Sequence, residues 1–184
     1  MITESVRIAP DVVMRPAAME DADGLARARL RSRAHLEPWE PVRPEDYFTS
    51  RAQAARLRGQ LEECRAGRAA PWVLECEGEM AGSVTLSNIS LGPFRSGTLG
   101  YWIAVDHIGR GLATAAVTRA CASADSELGL HRVEAGTLLD NVPSQRVLTK
   151  CGFEEFGVAP GYLHINGAWR DHRLFQRILN DRTP

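Results

Sequence analysis

Lysine is almost missing from this chain: Lys150 is the only one among 22 basic side chains, the rest being arginine. With no lysine behind any of its glycines, the sequence cannot form a Walker phosphate loop, which requires Gly-Lys-Ser/Thr. Neither sign of charge dominates, since 22 basic residues face 23 acidic ones for a net charge of −1. That balance offers no broad basic surface, and no direct nucleic-acid binding is expected. The four cysteines, Cys64, Cys76, Cys121 and Cys151, show no C-x-x-C spacing. They read as buried reduced thiols rather than a zinc site or disulfide framework, and point to a cytoplasmic setting. No apolar run comes near the roughly 18 residues of a membrane span. The N-terminal MITESVRIAPDVV lacks a basic segment followed by an apolar one, so neither membrane insertion nor export is expected. Repeats, low-complexity tracts and Gly/Ser linkers are lacking too. What remains, 184 residues at 44% hydrophobic and 24% charged, suits one domain spanning 1–184, with a core large enough to need no disulfide or metal.

The chain is organised around residues 97–116, GTLGYWIAVDHIGRGLATAA. Tyr101, Ile103 and Val105 alternate with Gly100, Trp102 and Ala104, a β-branched and aromatic content that predicts a buried strand over 98–105. Gly109-Arg110-Gly111 then supplies two residues without a Cβ, able to turn tightly and lie flat against a ligand. Leu112-Ala113-Thr114-Ala115-Ala116 opens a helix directly afterwards, which puts unpaired N–H groups and the positive end of the helix dipole at the tip of the strand. Such a junction binds phosphate. By itself a G-x-G turn also describes a plain connection between elements. A dinucleotide fingerprint is excluded, because the third glycine and the acidic residue about 20 positions on are missing.

Around this centre the periodicities lay out the other elements. Residues 12–16 read as a first strand with 6–8 as a short partner. A helix opens at Glu20 or Asp21, with Leu25, Ala26, Leu30 and Ala34 inward and Arg27, Arg29, Arg31 and Arg33 as a solvated outer face. Residues 35–44 carry three prolines around Glu37, Trp39 and Glu40, and read as a stiff loop rather than a helix, a good wall for a substrate site. A second helix covers 47–65. Residues 72–76 and 80–86 flank Glu77-Gly78-Glu79 as an antiparallel hairpin whose second strand runs on through Ile89 and Leu91. The helix after Gly111, capped at Gly129, leads to a strand over 133–139, which a helical crossover makes a parallel neighbour of 98–105. Pro143 sits in the first turn of a fourth helix. A closing hairpin, 153–165 and 169–178, turns at Asn166-Gly167. The expected fold is α/β (α+β): a mixed, mostly antiparallel sheet of seven strands with a central parallel pair, and about four helices.

Two motifs resemble a known family. Ile108-Gly109-Arg110-Gly111-Leu112-Ala113 is similar to the Gln/Arg-x-x-Gly-x-Gly/Ala acetyl-CoA signature of the GNAT acetyltransferases; Gly111 and Ala113 match, and Ile108 stands where the family has Gln or Arg. Asn141-x-x-Ser144-x-x-Val147-Leu148-x-x-Cys151-Gly152-Phe153 resembles the closing motif of the RimJ/RimL branch of that family, which acetylates protein N-termini on the ribosome. Residues 36–43 and 162–172 resemble the RimJ side of the branch, and the likeness runs from about 12 to 178.

The resemblance implies the GNAT fold, with acetyl-CoA as co-substrate and no metal. Main-chain amides of Ile108, Gly109, Arg110, Gly111, Leu112, Ala113 and Thr114 would hold the pyrophosphate. The strand end at Ile103, Ala104 and Val105 would line the thioester, with an N–H near Ile103 polarising its oxygen. Asn141 would hold the pantetheine arm, and Ser144 would protonate the departing thiolate. On spacing alone Asn141 is equally an N-cap and Ser144 a polar first-turn residue. A thiol with pKa near ~8.5 is a leaving group that one hydroxyl can serve. Glu40 is the one side-chain candidate for a general base; a loop glutamate facing solvent is the plain alternative, and water would suffice for an α-amino group of pKa ~7.7–8.0. Glu37, Trp39, Glu40, Tyr101, Tyr162 and Trp169 are the candidates for holding the acceptor, entering between residues 36–42 and 162–169. By resemblance the acceptor is the Ala or Ser N-terminus of a protein such as a ribosomal protein. Two alternatives stand beside it: a small-molecule amine such as an antibiotic or polyamine, and a non-catalytic acyl-CoA-binding module, against which the pairing of Asn141 with Ser144 argues. Monomer and homodimer are both compatible with the sequence.

Overall fold

Strand-period and helix-period segments alternate along the computed structural model, which describes residues 4–183. The elements are β1 (Val6–Ala9), β2 (Val12–Pro16), α1 (Ala22–Arg31), α2 (Arg33–Leu36), α3 (Ser50–Arg65), β3 (Ala70–Cys76), β4 (Glu79–Ser90), β5 (Ser96–Ile103), α4 (Leu112–Ser126), β6 (Arg132–Leu138), α5 (Val142–Lys150), β7 (Glu154–Ile165) and β8 (Ala168–Ile178). The strands form one sheet in the order β1-β2-β3-β4-β5-β6-β8-β7. Every neighbouring pair is antiparallel except β5 and β6.

The mixed sheet with one parallel pair is as expected, but the described residues form eight strands rather than seven and five α-helices rather than four. The eighth is β1, the short partner expected at 6–8, which the count of seven leaves out; it pairs Val6 with Met14 and Arg7 with Val13. The fifth helix is α2, set off from α1 at Ser32. This also corrects residues 35–44, which are helical in their first half: His35 and Leu36 belong to α2, and Glu37–Trp39 form a 3-10 turn. Pro38 falls in the first turn of that segment, where its missing N–H leaves no bond unmade. The hairpin turn between β7 and β8 holds Asn166 and Gly167 at φ +45° and +81°, the two left-handed residues of a tight hairpin.

Alternation along the strands sends side chains to two cores. On one face α4 and α5 cover Leu86, Leu99, Val133, Ala135 and Phe175, with Val117, Cys121 and Leu148 fully buried between. Ala116, Ala120 and Ala124 bring α4 close to the strands. On the other face Leu25, Ala28, Leu36 and Leu57 of α1 to α3 pack on Val73, Met80, Trp102 and Ala104.

The sheet is not continuous across its centre. β5 and β6 pair only through Ser96↔Arg132, Gly97↔Val133 and Thr98↔Glu134. The carbonyl of Arg95 accepts from the N–H groups of both His131 (2.8 Å) and Arg132 (3.1 Å), pinning this end. Beyond Thr98, β5 stays on β4 through Ile103 while β6 follows β8 through Leu138. A cleft therefore opens between the two strands toward their C-terminal ends.

Gly82 of β4 fixes one wall of that cleft. It pairs with Ile103, and a Cβ there would collide with the Trp102 carbonyl oxygen and sit 3.2 Å from Ile103 Cα. Gly82→Ala is expected to lower stability by about 1–3 kcal/mol through forced backbone movement, read as a drop in the urea midpoint; an unchanged midpoint would show that β5 yields freely there.

Candidate active site

The inner edge of β5 carries free main-chain groups. The Ala104 N–H donates to Ala81 O at 2.8 Å. Since N–H groups alternate from side to side along a strand, those of Ile103 and Tyr101 point away from β4 and into the cleft. Val105 N–H donates to Ser32 Oγ at 3.0 Å. Of the three expected strand-end residues, Ile103 thus offers its amide to the cleft, whereas those of Ala104 and Val105 serve the fold.

At the tip of β5 a 3-10 turn, Val105–His107, leads into the glycine turn. Gly109 and Gly111 both have φ +75°, the left-handed region that favours glycine. A Cβ built on either would have no neighbour within 4 Å, so this surface is open. Gly111 is the N-cap of α4 and no side chain caps the helix. Ala115 N–H bonds back to Gly111 O at 3.1 Å, so the N–H groups of Leu112, Ala113 and Thr114 precede the first closed turn and have no partner within the helix. Unbonded amides on an open surface at the positive end of a 15-residue helix fit a pyrophosphate. Ile108 stands beside them half exposed and can add only apolar contact. Arg110 turns to the β1–β2 connection, where Nη2 donates to both carboxylate oxygens of Asp11 at 2.7 Å, and Nη1 lies 3.0 Å from His107 Nδ1.

Across the cleft, Asn141 is indeed the N-cap of α5: its Oδ1 accepts from Ser144 N–H at 3.2 Å. The Ser144 hydroxyl meets Tyr101, whose phenolic oxygen is 2.8 Å from Ser144 Oγ and 3.3 Å from the Ser144 carbonyl oxygen. Tyr101 therefore spans from β5 to α5 and engages Ser144 rather than the acceptor loop. Burial pushes its phenol pKa up to about 12, which keeps the hydroxyl protonated near neutrality.

The acceptor side is built on Arg29. Far from lying on a solvated face, Arg29 is buried, its guanidinium 4.0 Å from the centre of the Trp102 indole and paired with the Glu40 carboxylate. Burial lowers its pKa from the usual range, opposed by the adjacent Glu40. Arg43 Nε approaches the other Glu40 oxygen at 3.6 Å. Arg29 follows Leu25 by four residues and so shares its inward stripe on α1, a spacing that separates it from the arginines of the outer face. The Glu40 carbonyl accepts from Asn166 N–H at 3.0 Å, which joins the loop after α2 to the β7–β8 turn. Between them lies a pocket lined by Arg29, Glu37, Glu40, Val42, Phe48 and Asn166. In the sequence the Asn166-Gly167 pair signals only a turn, and nothing local marks Asn166 as part of this pocket. Tyr162 packs on His172 at 5.4 Å beside Gly136, and Trp169 on His164 at 5.5 Å, 69% exposed. Neither ring, nor that of half-buried Trp39, lines this pocket.

Among the described residues no three His, Cys, Asp or Glu side chains gather as a metal set, and no helix is long and apolar enough to cross a membrane. All four cysteines are free, and burial raises the Cys121 thiol to about 11.

A sheet parted at its single parallel pair, with open helix amides at the tip of one strand, is the architecture of acyl transfer from coenzyme A that the sequence motifs imply. The acetyltransferase (GNAT) domain pattern matches residues 11–154, and the chain belongs to the GNAT acetyltransferase family. It is an acetyl-CoA-dependent N-acetyltransferase. The ribosomal protein uS5-alanine N-acetyltransferase of Escherichia coli (strain K12) is 36% identical over 182 residues, covering 97% of this chain and 94% of that protein. Among solved structures, the ribosomal-protein-S5-alanine acetyltransferase of Vibrio fischeri superposes with a TM-score of 0.92 at 33% identity, over 98% of this chain and 100% of that one. Mycobacterium smegmatis RimJ, in complex with CoA-disulfide, gives 0.86 at 39% identity, over 91% and 81%.

The Arg29–Glu40 pair makes its own prediction. Glu40→Ala strands a buried guanidinium, and because Glu40 is about one-fifth exposed the cost is set at about 2 kcal/mol, below the ~3–5 kcal/mol of a fully buried broken pair. Urea denaturation measures it; an unchanged stability would mean that Glu40 is an ordinary surface glutamate.

Proposed function

We propose that this enzyme acetylates the α-amino group of a protein N-terminus, Ala or Ser first, on a ribosomal protein, with the whole chain acting as one domain. The observation that carries the reading is the cleft between β5 and β6, with the free amides of α4 at its tip, the Ile103 N–H on one wall and Ser144 on the other. For the acceptor, the support is twofold. Relatives named as uS5-alanine acetyltransferases match nearly the full chain, and the two stretches that resemble RimJ meet at the Glu40–Asn166 bond.

Bound acetyl-CoA supplies an activated carbonyl and a thiol leaving group. The amides of Leu112, Ala113 and Thr114 hold its pyrophosphate, and Asn141, whose Oδ1 caps α5, turns its NH2 group to the pantetheine arm. The Ile103 N–H donates to the carbonyl oxygen as charge develops on it. The Ser144 hydroxyl gives its proton to the departing sulfur. Glu40, engaged by Arg29 and Arg43, shapes the pocket instead of acting as base; water removes the proton of an amine already partly neutral at pH 7 to 8. Glu37, exposed at the same pocket, draws in the ammonium form.

Two measurements test this reading. Gly111→Val forces a side chain onto the amide surface and a β-branched residue into the left-handed region, so CoA affinity by calorimetry should fall at least ~10-fold, and undiminished affinity would remove the pyrophosphate from this turn. In a turnover panel, Ala- and Ser-initiated peptides should be acetylated far faster than Met-initiated ones, aminoglycosides or polyamines; efficient acetylation of the small amines with inert peptides would replace the protein acceptor by a small-molecule one.

A further inference from the structure

We propose that Tyr101 is a positioning residue for proton delivery to the thiolate: from β5 it donates to Ser144 Oγ across the cleft, aims the serine proton at the sulfur and stabilises the charge left on Oγ. The inference rests on Ser144 being the thiolate's proton donor. Its structural basis is the contact of 2.8 Å between the two hydroxyl oxygens, made by side chains from opposite walls of the cleft.

An aliphatic hydroxyl is a weaker acid than a thiol near ~8.5, so giving its proton to a thiolate leaves negative charge on Oγ. In a half-buried site that charge is costly without a donor beside it. The Ser144 amide cannot serve, because it donates to Asn141 Oδ1. Tyr101 is the donor within reach, and its burial keeps the proton on the phenol. Its second neighbour, the Ser144 carbonyl oxygen at 3.3 Å, accepts the same proton in the resting enzyme, so the hydroxyl needs only a small rotation to turn from one oxygen of Ser144 to the other. The proton balance closes without consuming Tyr101. As the C–S bond breaks, the Ser144 proton forms the S–H bond, and Oγ, more basic than a phenolate, draws the Tyr101 proton toward itself, so the charge is taken up by the hydrogen-bonded pair. The water that took the proton of the acetylated nitrogen then returns one to that pair.

The test is a double-mutant cycle of Tyr101→Phe and Ser144→Ala in the full chain, with acetyl-CoA turnover on the amine that the panel shows to be acetylated, and CoA affinity by calorimetry. Tyr101→Phe should lower kcat roughly 10-fold, with CoA affinity within about twofold, and should cost less than about twofold when Ser144 is already alanine. Replacing the tyrosines by 3-fluorotyrosine, which keeps the hydroxyl, should leave kcat within about threefold. An equal loss in both backgrounds, or a loss of CoA affinity that follows kcat, would make Tyr101 a packing residue and overturn the inference. Ser144→Ala slowing turnover while Tyr101→Phe does not would overturn it alone. If Ser144→Ala leaves kcat unchanged, the reading of Ser144 as donor falls, and a slow Tyr101→Phe would then mark Tyr101 as the direct donor.

Discussion

The brevity of one strand pairing governs this molecule. β5 and β6 share three residue pairs and then separate, each held by its antiparallel partner on the far side. A parallel pair that continued would consume the inward amides of Tyr101 and Ile103 and leave no cleft. Because β4 and β8 satisfy the outer edges of the two strands, the inner edges can stay open without the sheet coming apart. The pinned end at Arg95 and the parted end at Ile103 are the two requirements of one site, a rigid hinge point and an exposed main chain.

Where periodicity was strong, the sequence and the structure agree. The crossover from 98–105 through an alanine-rich helix to 133–139 announced a parallel pair, and the Asn166-Gly167 turn announced the closing hairpin. The missed element is a short one. α2 is four residues long, too few for period to speak, and it sits beside Pro38, whose helix-breaking reputation does not extend to the first turn.

Of the site, the glycine turn and the Asn141 cap were legible because they are local. Asx caps and left-handed glycines act within three or four residues, and sequence spacing records them. The partnership of Tyr101 with Ser144 spans 43 positions, and that of Val105 with Ser32 spans 73. The first depends on how far β5 and β6 separate, the second on where the α1–α2 junction lies against the tip of β5, and no local pattern encodes either. Arg29 shows the complementary failure: a charge on a helix is ordinarily solvated, and only the depth of Trp102 and the reach of Glu40 make this one interior.

The bond between Glu40 and Asn166 runs from main chain to main chain. Side-chain replacement at position 40 does not touch it, and at 166 the left-handed backbone limits the choice chiefly to asparagine, aspartate and glycine without limiting what surrounds it. The strap over the pocket is thus written in backbone geometry, while the pocket's lining is written in side chains. Descendants of this sequence can recolour the walls residue by residue and keep the roof, so that a change of clientele requires no change of architecture.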